Sequence, residues 1–274
     1  MPLIDQYNFN GLAIQIHAQA TGVLAHPHLA MNVPDPTFQI LGGGAEVEQT
    51  GGAGNLLTEM LPFSATEWEC RAKDHQVSDP ANMTVFCVAA AVPPAEHRIV
   101  SSTSAAPANH PQATATLPPG FVLVGGGAKA NWQQTGGPGS LLYASRPGSG
   151  QSWFAAAKDH RLPNPTTITA YAIGLSEQFL ASLRLRVVRL RSVSDGPARR
   201  PWATCGVEDP LMTVISGGAE TQWGGSGSLL TASFPSPASG TSSPQNYQWK
   251  VRGADHLDPD PATIVAWALA LIRA

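Results

Sequence analysis

Three Asp-His dipeptides, Asp74-His75, Asp159-His160 and Asp255-His256, are the residues of this chain best suited to chemistry. A carboxylate beside an imidazole can fix the ring's tautomer, hold a metal or support a general base. Each pair stands six residues after a tryptophan, Trp68, Trp153 or Trp249. Each is followed by a proline-bearing stretch: Ser78-Asp79-Pro80, Pro163-Asn164-Pro165 or Pro259-Asp260-Pro261. Asp and Asn in such loops commonly accept bonds from backbone N–H groups two residues on, so the favoured reading is that the pairs form turns. A sharper expectation depends on geometry. If the three loops converge at one end of a threefold axis, His75, His160 and His256 form a three-histidine metal site.

A second set of candidates lies in glycine-rich turns led by glutamine: Gln49-Thr50-Gly51-Gly52, Gln134-Thr135-Gly136-Gly137 and Gln222-Trp223-Gly224-Gly225. Glycine permits positive φ and close backbone approach, so the plain expectation is a tight hairpin or bulge. The binding alternative rests on Gln49, Gln134 and Gln222, whose amides sit beside backbone, and on the flat rings of Trp132 and Trp223. Amides and an aromatic face suit sugar hydroxyls and the apolar side of a pyranose. These turns are not phosphate loops, because no Lys-Ser/Thr follows the glycines and no helix follows to lend its N-terminus. Gly-x-Ser-x-Gly, His-Glu-x-x-His and a cysteine nucleophile setting are also missing, which weakens an enzymatic reading.

The elements that carry these residues occur three times. Gly42-Gly43-Gly44-Ala45, Gly125-Gly126-Gly127-Ala128 and Ser216-Gly217-Gly218-Ala219 each precede a glutamine turn, a Leu-Leu pair, a proline, a tryptophan and an Asp-His pair. The copies run over 11–91, 97–175 and 183–274, a period of about 85 residues, which signals one supersecondary unit used three times. Twenty-seven glycines and 24 prolines in 274 residues disfavour long helices. Alternation in Leu12-Ala13-Ile14-Gln15-Ile16 and Leu183-Arg184-Leu185-Arg186-Val187 predicts strands, five or six per copy. A brief helix is expected over 176–182. Trp68, Trp153 and Trp249 fall in alternating strands and read as core, while Arg184, Arg186, Arg189 and Arg191 read as a solvated face.

With 43% hydrophobic residues the chain can bury a sizeable core, and a net charge of −3 draws it to neither nucleic acid nor anionic membranes. No run approaches the ~20 apolar residues of a membrane span, and Met1-Pro2-Leu3-Ile4-Asp5 lacks the pattern of a signal peptide. The expected location is the cytoplasm, with leaderless export as the alternative. Cys70, Cys87 and Cys205 have no metal-ligand spacing. If the 73–83 loop joins two antiparallel strands, Cys70 and Cys87 face each other, either as two buried thiols or as a cross-strand disulfide.

The expected architecture is thus all-β: one body of short antiparallel strands in which three homologous repeats form a pseudo-threefold, β-prism-like assembly. The Leu-Gly-Gly-Gly-Ala opening, tryptophan strand and Thr-Ala-Tyr-Ala ending resemble repeats in uncharacterised bacterial proteins, which brings no function with it. The design is similar in outline to β-prism and β-trefoil lectins, although its period is longer and their sugar-binding signatures are missing. The function expected is a non-enzymatic, multivalent glycan or small polar ligand binder without a cofactor, its linked sites gaining avidity. A metal- or Asp-His-dependent enzyme and a structural or toxin component are the alternatives, and a homo-oligomer is left open. Copy three departs from the others, with Ala254 in place of Lys73 and Lys158 and an insertion over 236–245, so a site there should differ.

Overall fold

The computed structural model describes residues 2–48, 54–134, 138–207, 209–238 and 247–274, with only the backbone of Gln134. Leu3–Phe9 (β1) and Leu12–Leu24 (β2) form a hairpin closed by Asn10 and Gly11, both at positive φ (52° and 90°), as a two-residue turn requires. His28–Asn32 (β3), Phe38–Val47 (β4), Leu56–Pro62 (β5), Glu67–Lys73 (β6) and Ala81–Ala91 (β7) follow. The middle segment gives His97–Thr103 (β8), Gln112–Thr116 (β9), Phe121–Ala130 (β10), Leu141–Pro147 (β11), Ser152–Lys158 (β12) and Ile168–Ser176 (β13). The last gives Leu185–Val193 (β14), Trp202–Gly206 (β15), Met212–Gln222 (β16), Leu229–Pro237 (β17), Tyr247–Ala254 (β18) and Thr263–Arg273 (β19). The expected short helix is Glu177–Ser182 (α1), capped where the Ser176 hydroxyl accepts from the Phe179 N–H.

The strands make three antiparallel sheets, ordered β1-β2-β7-β4-β17-β18-β15, β3-β6-β5-β10-β13-β8 and β14-β19-β16-β11-β12-β9. Every sheet therefore mixes strands from two of the sequence segments. The seams are short: Ala45 and Glu46 pair with Ser233 and Ala232, Ala128 and Lys129 with Met60 and Glu59, and Ala219 and Glu220 with Ser145 and Ala144. An ion pair crosses each seam, Arg252 to Glu46 at 2.5 Å, Lys129 to Glu59 at 3.4 Å and Arg146 to Glu220 at 2.8 Å. Glu59 is fully buried, and that desolvation raises its carboxyl above the usual range despite Lys129 and Arg71.

The glycine triplets make these seams possible. A Cβ on Gly44, Gly127 or Gly218 would overlap the backbone of Ser233, Met60 or Ser145 across the seam. A Cβ on Gly43, Gly126 or Gly217 would strike the indole of Trp68, Trp153 or Trp249. Those tryptophans are at most 1% exposed, as the alternation predicts. The Trp153 and Trp249 N–H groups donate to Ser145 and Ser233 Oγ at 3.0 and 2.8 Å; where Met60 replaces serine, Trp68 turns instead to Cys70 Sγ at 3.1 Å. One apolar cluster runs from Tyr7 to Leu271 through all three segments. Among the described residues, no helix is long and apolar enough to cross a membrane.

Two expectations are corrected by this topology. The strands that flank the first glycine turn, β4 and β5, lie in different sheets and so form no hairpin, residues 49–53 themselves lying outside the described residues; β10 with β11 and β16 with β17 likewise lie in different sheets. The 73–81 loop likewise carries the chain between sheets, since β6 pairs with β3 and β5 while β7 pairs with β2 and β4. Cys70 and Cys87 therefore do not face each other across a ladder, and all three cysteines are free and buried. Burial pushes their thiols up, Cys205 to about 11 and Cys70 and Cys87 further. A thiol reagent is expected to label none of them in the folded protein and all three after denaturation, read by mass; rapid native labelling would contradict this burial. Arg186, Arg189 and Arg191 are exposed on β14 as expected, whereas Arg184 precedes the strand at φ 52°.

Candidate functional site

The glycine turns and Asp-His loops interlock. Gly54 N donates to Asp79 Oδ2 at 2.6 Å and Gly225 N to Asp260 Oδ1 at 2.9 Å, tying both kinds of loop together within a segment. The Asp of each pair bonds within its own loop region, but by a different bond from the one expected. Asp159 Oδ2 accepts from Asn164 N and Asp255 Oδ2 from Asp260 N, five residues on rather than two, at 2.7 and 3.0 Å. Asn55 and Ser140 donate to Asp74 and Asp159 Oδ1 at 2.9 and 2.8 Å, so the carboxylates join the start of the preceding strand, β5 or β11, to the end of the tryptophan strand, β6 or β12.

After each histidine the backbone makes a three-residue turn: Val77, Leu162 and Asp258 N–H groups donate to the His75, His160 and His256 carbonyls at 2.7–2.8 Å. The central residues Gln76, Arg161 and Leu257 hold φ of 64°, 60° and 62°, a costly conformation for residues with a Cβ. These turns send all three imidazoles inward. Ring centroids of His75 and His160, His75 and His256, and His160 and His256 lie 5.4, 5.4 and 4.9 Å apart, and the residues are 2%, 0% and 0% exposed. The condition set by the sequence, convergence of the three loops, is thus met for the histidines.

Burial disfavours the imidazolium form. Desolvation, helped for His75 by nearby Lys73 and for His256 by its two partner rings, lowers both to about 4; desolvation also lowers His160. The rings are neutral at pH 7. His160 Nδ1 donates to the Ser226 carbonyl at 2.9 Å, and His75 Nε2 meets the His160 carbonyl at 2.9 Å. His75 Nδ1, His160 Nε2 and both nitrogens of His256 have no hydrogen-bond partner among the described residues. As the rings stand, no three His, Cys, Asp or Glu side chains among the described residues are arranged to hold a metal.

The aromatic residues of the glycine turns are half-buried under lysines of the preceding segment. Lys73 Nζ stands 4.0 Å from the Trp132 ring centre and Lys158 Nζ 4.0 Å from that of Trp223, with His110 and Tyr143 edge-on to Trp223 at 5.3 and 5.5 Å. Desolvation lowers each lysine to about 8, and the indole faces support their charge. Gln222 is exposed at the end of β16, Gln49 lies outside the described residues, and the side chain of Gln134 does too.

One surface escaped the sequence reading. Trp202, 61% exposed on the edge strand β15, lies between two adjoining grooves of about 540 and 340 Å³. Both grooves are lined by Arg200 and Trp202; the smaller adds Thr231, Lys250 and Arg252. The signal was present. Trp202 follows Arg200-Pro201 where the other copies have His28 after His26-Pro27 and Gln112 after His110-Pro111.

No protein-family model matches the chain, and no curated protein matches it. Fold and site define an all-β protein of three mixed antiparallel sheets, with a buried histidine trio and, at Trp202, an exposed aromatic side chain between two adjoining grooves.

Proposed function

We propose that the protein is a non-enzymatic glycan-binding protein whose site is the Trp202 groove, and that its three repeats fold as one pseudo-threefold, prism-like body. The observation that carries the binding reading is an indole 61% exposed on a sheet edge beside Arg200, Lys250 and Thr231. An exposed large ring flanked by donors is what a pyranose needs: the ring takes its apolar face, and the side chains bond its hydroxyls. Guanidinium and ammonium groups add a preference for carboxylate or sulfate, so the substrate class is acidic glycans.

The equivalent strand orders of the sheets and the three like seams support the pseudo-threefold body. Binding is favoured over Asp-His catalysis because the carboxylates are spent on loop bonds and the imidazoles are at most 2% exposed, out of a substrate's reach. One differing site in the third repeat replaces three equivalent loop sites, since Trp132 and Trp223 lie under Lys73 and Lys158.

A glycan array with and without chelator tests the proposal. The expected result is chelator-resistant binding to uronate-bearing or sulfated glycans, weakened roughly tenfold or more in Trp202→Ala with an unchanged melting temperature. Binding to neutral sugars alone, or binding intact in Trp202→Ala, would overturn it.

A further inference from the structure

We infer that the arginine-bearing strand β14 continues the Trp202 groove as a track for a linear, polyanionic glycan, whose carboxylate or sulfate groups it takes in succession. The inference rests on the glycan reading and extends it from one sugar to a chain. The two surfaces meet: Ser192 and Val193, the last residues of β14, line the larger groove together with Trp202. Alternation along the strand puts Arg189 and Arg191 on the face of Val193, and from Val193 back to Arg186 the strand covers about 23 Å. That length suits several linked sugars.

Edge protection alone does not explain these charges. Lysine or arginine on an edge strand can keep other chains from pairing with it. β1, β15, β3, β8 and β9 are edge strands as well, yet those five together carry one such residue, Arg98, against three arginines on β14. No acidic residue answers the three. Arg186, Arg189 and Arg191 are exposed and, among the described residues, join no ion pair.

Two of the guanidiniums are also held in place. Arg189 donates to the Gly148 and Gly150 carbonyls, leaving further N–H groups for an anion. Arg191 lies 5.5 Å from the centre of the Trp267 ring, which Arg146 also approaches at 5.8 Å. Side chains already ordered lose less freedom when a ligand binds. A glycan is favoured over a nucleic acid, because a single strand needs successive open aromatic faces for its bases. Trp267 is only partly exposed and already takes two guanidiniums. Guanidiniums in series, with the open ring of Trp202 at one end, suit acidic groups along a sugar chain.

Calorimetric titration with a heparin-derived disaccharide and octasaccharide, at fixed salt, tests the track. The octasaccharide should bind the unaltered chain roughly tenfold or more tighter than the disaccharide. Arg186→Gln with Arg191→Gln should cancel that gain, leave disaccharide binding unchanged and keep the melting temperature, whereas Trp202→Ala should weaken both ligands. If the double variant melts lower, Arg186→Gln alone decides by the same comparison. A disaccharide bound through Trp202 with no gain for the octasaccharide, or a gain that survives the arginine substitutions, would overturn the track and leave the glycan reading standing. Binding of neither ligand, or binding indifferent to Trp202→Ala, would overturn that reading and the track with it. Equal affinity for an oligodeoxythymidylate of the same charge would overturn the choice of a glycan.

Discussion

Lowering the pH from 7 to 4 is expected to cost the protein on the order of 5 kcal/mol, most of it through His75, His160 and His256. In the unfolded chain histidine titrates near pH 6.5, whereas burial holds His75 and His256 at about 4 and lowers His160 in the same direction. Between those values the unfolded state binds more protons than the folded one, so stability rises with pH across the window and is lost as pH falls through it. The charges facing the trio are Lys73, Lys158 and Arg161, which oppose protonation, and Asp258, which favours it. Glu59, whose carboxyl is raised, offsets part of the loss. Denaturant unfolding at several pH values should give this slope, and His256→Gln should flatten it. An equal slope in that variant would place the proton uptake elsewhere.

Trp153→Ala should cost about 3–5 kcal/mol, a large share of the stability of an ordinary domain. The substitution empties a site 1% exposed and leaves Ser145 Oγ without the indole N–H that reaches it at 3.0 Å. Neighbouring Gly126 cannot be enlarged to refill the space, because a Cβ there also meets the Tyr171 carbonyl. Gly126→Ala on its own should therefore destabilise rather than pack the core. Chemical denaturation decides the matter, and a loss under about 1 kcal/mol for Trp153→Ala would contradict the packing described.

Much of this was legible in the sequence, and the failures have physical causes. Alternation identified the strands and the tryptophan core, since burial on one face of a strand imposes a period of two. Sheet membership was not legible. Glycine turns and Asp-His loops look like hairpin closures when read locally, but β5 and β6 leave their neighbours β4 and β7 for another sheet, and only contacts far apart in sequence decide that. For the same reason Cys70 and Cys87 do not face each other across a ladder, although both are buried free thiols, as the favoured of the two expectations had it. Convergence of His75, His160 and His256 could be stated only as a condition, because local spacing does not say where three loops meet. The lysines over Trp132 and Trp223 were hidden as well, although Ala254 in place of lysine marked the exception. Trp202 was passed over because it interrupts no pattern: it stands at a position where the repeats differ.

The most direct test of the binding account is the number of sites per chain, measured by calorimetric titration of the intact protein with an acidic oligosaccharide. The account predicts one site, lost in Trp202→Ala and kept when Trp132 is replaced. Three equivalent sites, or one that survives Trp202→Ala, would contradict it and return the ligand to the glycine turns.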